Sequence, residues 1–169
     1  MATATVKPED RSRASRPPRG VRDDEPFLTK EELAGMVLAY QPDADRARLH
    51  RAYDFAREKH GDQLRQSGDP YYSHPVRVAT LLSLVRLDEA TIMAGLLHDT
   101  VEDCDDVDLA LIEKEFGSDV AELVDGVTKL DKIKFTRQEH KQAENFRKML
   151  VAMSRDIRVL LIKLADRLH

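Results

Sequence analysis

A helical spacing of apolar residues is the feature of this sequence that most restricts its fold. From Phe27 onward, apolar side chains recur about every 3.6 residues. Leu33, Met36, Val37 and Tyr40 form one such stripe. No segment shows the alternation of apolar and polar residues that is typical of a strand. The pattern therefore predicts an all-α domain of about eight short helices without internal repeats.

Start and stop signals divide this pattern into separate helices. Thr29, followed by Glu32, forms a capping box before the first helix, and a second helix starts near Asp43 and is closed by Gly61. The other helices are expected to start at residues 73 and 88, the latter running into residues 98–103, and to span about 108–116, 118–130, 138–153 and 156–169. Because the last apolar stripe continues to residue 169 without a stop signal, we expect the chain to be a fragment of a longer protein.

The first 27 residues have the composition of a disordered tail. Residues 1–26 contain four of the seven prolines and no Leu, Ile, Phe, Tyr or Trp. Such a segment cannot bury enough apolar surface to offset the entropy lost on ordering. Residues 28–169 are then sufficient for one domain with a single core.

Composition also restricts the location and partners of the chain. A single cysteine, Cys104, excludes an internal disulfide and is typical of a reducing compartment. The sequence contains neither a signal peptide nor an apolar run of membrane-spanning length. A net charge of -4 gives no overall attraction to nucleic acid or anionic lipid. We therefore expect a cytoplasmic protein that binds neither membranes nor nucleic acid directly.

The sequence HDTVED at residues 98–103 places four ionisable side chains directly after an apolar run. On a continuous helix, Glu102 lies four residues after His98, and Asp103 lies four residues after Asp99, so all four side chains would crowd one end of one face. Three carboxylates this close repel one another unless a cation lies among them or some of them stay protonated. A His-Asp pair alone is more often an exposed cap than a ligand set.

Two further residues favour a metal site. His74 lies at the start of the third helix, and Asp166 lies within an apolar helix where a solvated aspartate is hard to explain. Two imidazoles and two carboxylates without a thiolate suit Mn²⁺, Fe²⁺ or Zn²⁺ with water completing the shell. His60, next to Gly61 at a helix end, is expected to cap that helix rather than to bind metal.

The order His…His-Asp…Asp on an all-α scaffold resembles the HD superfamily of metal-dependent phosphohydrolases. Four segments are similar to the N-terminal hydrolase domain of bifunctional RelA/SpoT-type proteins: HGDQLRQSGDPYYSHP, GLLHDTVED, FGSDVAELVDGVTKL and KLADRLH. Members of this family remove the 3′-pyrophosphate from the stringent-response alarmones ppGpp and pppGpp. The resemblance covers residues 45–169 and implies an HD-domain helical bundle.

Residue by residue, the resemblance implies a metal site and a catalytic pair. The implied ligands of one Mn²⁺ are His74, His98, Asp99 and Asp166. Glu102 and Asp103 match the family's catalytic acidic pair. Relatives that have lost hydrolysis lack the HD and ED pairs, whereas this chain retains both.

The resemblance also implies a nucleotide-binding loop. Arg65 matches the residue that packs on the guanine, and Ser67 lies beside it. Gln66 stands where the family commonly has lysine, which removes one positive charge that could meet a phosphate. Lys129 is a further candidate for phosphate contact, although an ordinary surface lysine fits the same pattern.

The implied activity is metal-assisted hydrolysis to pyrophosphate and GDP or GTP. One alternative is an HD phosphohydrolase that acts on another nucleotide, and a second is a regulatory domain that binds a nucleotide without turnover. Full-length relatives carry synthetase and regulatory domains, and their motif continues beyond the position of His169 with pocket residues. The nucleotide pocket of this chain is therefore expected to be truncated at its C-terminal end.

Overall fold

The computed structural model describes residues 27–65, 68–131 and 156–168. Within these residues the chain forms eight α-helices and no strand beyond an isolated bridge between Leu64 and Pro70. The helices, in chain order, are α1 (Lys30–Tyr40), α2 (Arg46–His60), α3 (Ser73–Leu84), α4 (Glu89–Leu97), α5 (Thr100–Asp103), α6 (Leu109–Phe116), α7 (Ser118–Asp131) and α8 (Ile157–Arg167). None of them is long and apolar enough to cross a membrane.

This architecture confirms the predicted all-α domain. The predicted tail, apart from Phe27, and the predicted helix at 138–153 lie outside the described residues.

Capping residues explain where the first two helices begin and end. The Thr29 side chain accepts a hydrogen bond from the backbone of Glu32, whose carboxylate accepts one from the Thr29 backbone at 2.8 Å, which completes the predicted capping box. α2 is capped by Asp45 rather than starting near Asp43. It ends at Gly61, whose φ of +49° favours glycine. The loop that follows leads directly to α3.

α4 is the most deeply buried helix of the fold. All its residues except Ala90 are buried, and it packs against α2, α3, α7 and α8. Each large apolar side chain buried here contributes about 1.5–3 kcal/mol to stability. The C-terminal end of α4, which leads into His98, is consequently held inside the protein.

Close packing of α7 against α8 fixes the last described helix. α8 buries Val159, Ile162 and Ala165 and packs against α3, α4 and α7. A Cβ atom on Gly126 of α7 would lie only 2.6 Å from Cγ2 of Val159, so the absence of a side chain permits this approach. The polar residue Asp166, next to Ala165, is thereby brought toward α3.

The HDTVED stretch forms a turn and a short helix instead of continuing α4. α4 ends at Leu97, His98 and Asp99 form a turn, and α5 begins at Thr100. The Thr100 hydroxyl donates to the Leu97 carbonyl at 2.7 Å, which competes with the backbone hydrogen bond of a continuous helix. The expected single helix through residue 103 is therefore replaced by two helices.

Candidate metal centre

Three separate parts of the fold bring two imidazoles and two carboxylates together. His74 lies in the first turn of α3, His98 and Asp99 follow α4, and Asp166 lies in the last turn of α8. His74 and Asp166 are 92 positions apart in the chain. The packing of α3, α4 and α8, and not local sequence, thus creates the cluster.

The side chains approach one another closely enough to share one cation. His74 Nε2 lies 2.9 Å from Asp166 Oδ1 and 3.7 Å from Asp99 Oδ2. His98 Nε2 lies 3.0 Å from Asp99 Oδ1 and 3.7 Å from Asp166 Oδ1. Ligand atoms of His74, His98 and Asp99 all fall within 4.8 Å of one another. Atoms that bind one metal ion at about 2.0–2.2 Å are about 3–4 Å apart, so this spacing fits a divalent cation.

The His98 ring is oriented with one nitrogen toward the cluster. Its Nδ1 donates to the Gly95 carbonyl at 2.9 Å, and this places a proton on Nδ1 because a carbonyl can only accept. Nε2 is buried and makes no well-aligned hydrogen bond within the described residues, despite its short distance to Asp99. Metal-bound histidines share this arrangement, with one nitrogen on the ion and the other donating to a carbonyl or carboxylate.

The electrostatics of the cluster favour added positive charge. Burial lowers the pKa of His98, but the Asp166 and Asp99 carboxylates outweigh burial and raise it to about 10. Burial raises the pKa values of Asp99 and Asp166, but the neighbouring imidazoles hold both below their usual range. Two partly buried carboxylates next to each other thus favour a counter-charge, which either an imidazolium proton or a divalent cation can supply.

Lys163 holds the second oxygen of Asp166. It lies one turn earlier on α8 and forms an ion pair with Oδ2, while Oδ1 of Asp166 faces His74. The two oxygens of this carboxylate therefore have separate partners, which restricts its rotation. Side chains that orient a ligand in this way commonly affect metal affinity.

The acidic pair directly follows the cluster on α5. The backbone N–H groups of Glu102 and Asp103 donate to the Asp99 carbonyl at 3.1 and 2.9 Å, and both side chains are exposed. Asp103 Oδ2 accepts a hydrogen bond from the Tyr71 hydroxyl at 2.7 Å. The exposed pair can exchange protons with water more readily than the less exposed cluster of imidazoles and carboxylates.

Of the four residues predicted to bind the nucleotide, the structure describes two, Arg65 and Lys129. Arg65 is half-buried in the loop between α2 and α3, and its backbone N–H donates to the Asp69 carbonyl at 2.9 Å. Gln66 and Ser67 lie outside the described residues. Lys129 is exposed on α7 and forms an ion pair with Asp125 one turn earlier, so its charge already has a local partner.

Sequence reasoning did not identify two polar residues near the cluster, His60 and Tyr71. His60, expected only as a helix-end cap, is 1% exposed, and its ring packs on the Tyr71 ring with centroids 4.7 Å apart. The sequence signal for Tyr71 was the aromatic pair at residues 71–72, directly before Ser73 and His74. Aromatic side chains at such a position can support a neighbouring residue by packing.

Cys104, the single cysteine of the chain, is buried after α5. Its thiol donates to the Lys59 carbonyl at 3.4 Å. Burial raises the pKa of the thiol, so the reactive thiolate is disfavoured.

Comparison with known protein families agrees with this geometry. A family model described as the HD domain matches residues 52–169. The matched region includes His74, His98, Asp99 and Asp166. The chain belongs to the HD-domain family.

Within this family the chain is similar to Rsh and SpoT proteins, as its sequence predicted. It is 51% identical over 143 residues to the GTP pyrophosphokinase rsh of Brucella ovis, covering 85% of this chain and 19% of that protein. It is 52% identical over 139 residues to the bifunctional (p)ppGpp synthase/hydrolase SpoT of Escherichia coli, covering 82% of this chain and 20% of that protein. The chain thus spans about a fifth of the length of these curated relatives.

A solved structure has the same fold. It is that of a metazoan ortholog of SpoT that hydrolyzes ppGpp, and it matches with a TM-score of 0.59 and 36% sequence identity. The match covers 74% of this chain and 68% of that chain.

Proposed function

We propose that this chain hydrolyses the 3′-pyrophosphate of ppGpp and pppGpp in an Mn²⁺-dependent reaction that yields pyrophosphate and GDP or GTP. The observation that carries the proposal is the cluster of His74, His98, Asp99 and Asp166, into which the buried Nε2 of His98 is directed. The names of the relatives, which include a (p)ppGpp synthase/hydrolase, support this substrate class.

The donor set supports Mn²⁺ as the resident cation. Two imidazole nitrogens and two carboxylate oxygens, without a thiolate, are more typical of a manganese site than of a structural zinc site. His74, His98, Asp99 and Asp166 would hold the ion, with Lys163 fixing the Asp166 carboxylate. When bound, the ion would lower the pKa of a water molecule and neutralise charge on phosphate oxygens.

Glu102 and Asp103 would carry out the proton transfers. Both carboxylates follow Asp99 directly and are accessible to water. One of them can accept a proton from the attacking water, and one can assist proton transfer to the leaving oxygen of the ribose. Such general acid-base catalysis typically contributes about 10²–10⁴-fold to the rate.

The loop between α2 and α3 would bind the nucleotide. Arg65 would pack its planar guanidinium on the guanine, with Gln66 and Ser67 next to it. Gln66 cannot supply the positive charge of a lysine, so phosphate affinity would depend more on Arg65 and the cation. Lys129 is a weaker candidate because it is paired with Asp125.

The cellular role would be alarmone turnover in the stringent response. The partner of this domain would be the guanine nucleotide, and neither a membrane nor a nucleic acid would take part. The parent protein would carry synthetase and regulatory domains and would reside in the cytoplasm.

The test is to incubate the purified chain with ppGpp labelled in its 3′-pyrophosphate, with either Mn²⁺ or a chelator. We expect labelled pyrophosphate and GDP to be released with Mn²⁺ only. Asp99→Asn should abolish release because it removes a ligand charge. Asp105→Asn, the same change at an exposed position after α5, should leave the rate unchanged.

Other outcomes would support the alternatives. If the chain binds Mn²⁺ and ppGpp without releasing pyrophosphate, a regulatory nucleotide-binding domain is the better assignment. If it hydrolyses a different nucleotide faster than ppGpp, the substrate assignment is wrong while the metal-dependent hydrolase class stands.

A further inference from the structure

Tyr71 connects the ligand-bearing helix α3 to the acidic pair on α5. Its hydroxyl donates to Asp103 Oδ2 at 2.7 Å, across 32 positions of sequence. Its backbone carbonyl accepts a hydrogen bond from the backbone N–H of His74 at 3.1 Å. One residue therefore contacts both the start of α3, where a ligand lies, and a carboxylate of the acidic pair.

The Tyr71 ring packs against a buried side chain. It packs on the ring of His60, with centroids 4.7 Å apart and an interplanar angle of 33°. His60 is 1% exposed and therefore provides a rigid support. The Tyr71 backbone N–H also donates to the Gln63 carbonyl at 2.8 Å. The hydroxyl is thus presented to Asp103 from a fixed position.

Asp103, in contrast, has little local restraint. It is exposed at the end of α5, a helix of four residues without a side-chain cap. An exposed aspartate on such an element exchanges among rotamers unless a partner selects one. Tyr71 is the side chain that donates a hydrogen bond to the Asp103 carboxylate within the described residues.

The electrostatics keep the Tyr71 hydroxyl in its donor form. Burial, followed by the hydrogen bond to Asp103 and the charge of Asp99, raises the pKa of Tyr71 far above its usual value. The Arg65 guanidinium acts in the opposite direction, which places Tyr71 within electrostatic reach of both the nucleotide loop and the carboxylates.

We propose that Tyr71 is a positioning residue that holds the Asp103 carboxylate in one orientation beside the metal cluster. The proposal rests on the function proposed above, in which Asp103 transfers a proton. In this role Tyr71 would contact neither the reacting phosphorus nor the cation, and would act through Asp103. Its loss should therefore reduce catalysis without reducing the binding of substrate or metal.

The experiment compares Tyr71→Phe with Tyr40→Phe in the ppGpp hydrolysis assay. Tyr40 is a matched control because its hydroxyl also donates one 2.7 Å hydrogen bond, but to the backbone carbonyl of Leu87 instead of a carboxylate of the acidic pair. We expect Tyr71→Phe to lower kcat about 10-fold or more, with KM and the Kd for Mn²⁺ changed by less than about twofold. Tyr40→Phe should retain wild-type kcat.

A double-mutant cycle separates positioning from a merely structural role. If Tyr71 acts through Asp103, Tyr71→Phe should have almost no further effect on kcat in an Asp103→Asn background. Losses that multiply in the double variant, or an unchanged kcat in the single variant, would overturn the proposal.

A crystal structure of the Tyr71→Phe variant gives a readout that does not depend on activity. We expect the Asp103 carboxylate to occupy several orientations or a new one, whereas an unchanged single orientation would overturn the inference. If the wild-type chain releases no pyrophosphate, the proposed function fails, and this structure still decides whether Tyr71 positions Asp103.

Discussion

At the scale of single residues, His60 is a buried titratable group that lies beside the candidate metal site without belonging to it. Its Nδ1 contacts Gln63 Oε1 at 3.3 Å, and its ring packs on Tyr71. Burial lowers the pKa of His60 from its usual 6.5, and the Gln63 contact and the charge of Asp99 offset only part of this effect. The folded protein therefore holds the ring neutral at pH values where the unfolded chain would protonate it.

This pKa difference predicts an acid-sensitive stability. Because the unfolded chain binds the extra proton, the stabilisation is fully present above pH 6.5 and is lost as the pH falls below that value. The loss can reach about 1.4 kcal/mol per pH unit. We expect His60→Gln to flatten this dependence when urea unfolding is measured with chelator at about pH 7.5 and about pH 5.5. Equal losses of stability in the variant and the wild type would contradict the assignment of this pH dependence to His60.

The residues that the sequence could and could not identify differ in their surroundings. The sequence could predict that His98, Asp99 and Asp166 interact, because polar residues in or next to apolar segments need a partner. The contact of Tyr71 with Asp103 was not, because both are ordinary polar residues in a loop and a short helix, and only tertiary packing brings them together.

At the scale of secondary-structure elements, the contact of α7 with α8 contributes to the position of Asp166. Gly126 has no room for a Cβ atom beside Val159, a stiff β-branched residue on α8. An alanine at this position would therefore push α8 away from α7 and displace Asp166 from His74.

We expect Gly126→Ala to destabilise the protein by about 1–3 kcal/mol in urea unfolding and to weaken Mn²⁺ binding. Gly35→Ala on α1 is the matched control, because apart from its chain neighbours and the nearby backbone of α1 nothing lies within 4 Å of its Cβ position, and it should stabilise by about 1 kcal/mol through helix propensity. The double variant Gly126→Ala, Val159→Ala should recover Mn²⁺ affinity. Failure to recover it would show that the contact does not position α8.

Element boundaries were harder to predict than element type. The 3.6-residue spacing was sufficient to predict helices throughout the described residues. It could not predict the break between α4 and α5. At this break the Thr100 hydroxyl donates a hydrogen bond to the Leu97 carbonyl, and the spacing of apolar residues does not show this contact. The shift of the α2 cap from Asp43 to Asp45 has a similar local origin, since both aspartates can cap a helix.

At the scale of the whole molecule, one cation would join helices that are distant in sequence. The proposed ligands lie on α3, after α4 and on α8, so an unfolded chain does not present them together. Mn²⁺ should therefore bind the folded state in preference to the unfolded state.

We expect a Mn²⁺ concentration of about 100 times Kd to stabilise the fold by about 2.7 kcal/mol and to raise Tm by about 5–10 °C. Thermal unfolding with Mn²⁺ and with chelator measures this shift. Asp166→Asn should remove most of it by deleting a ligand charge. A rise of the same size in that variant would place the bound ion elsewhere on the protein.

The 92-position separation of His74 and Asp166 has a consequence for the order of synthesis. A ribosome makes the chain from its N-terminus, so His74, His98 and Asp99 are all synthesised before Asp166. Folding of α3 and α4 against each other can assemble three of the four residues early. A nascent chain that has not yet completed α8 would therefore offer a cation these three ligands, and the cluster would become complete only when α8 docks.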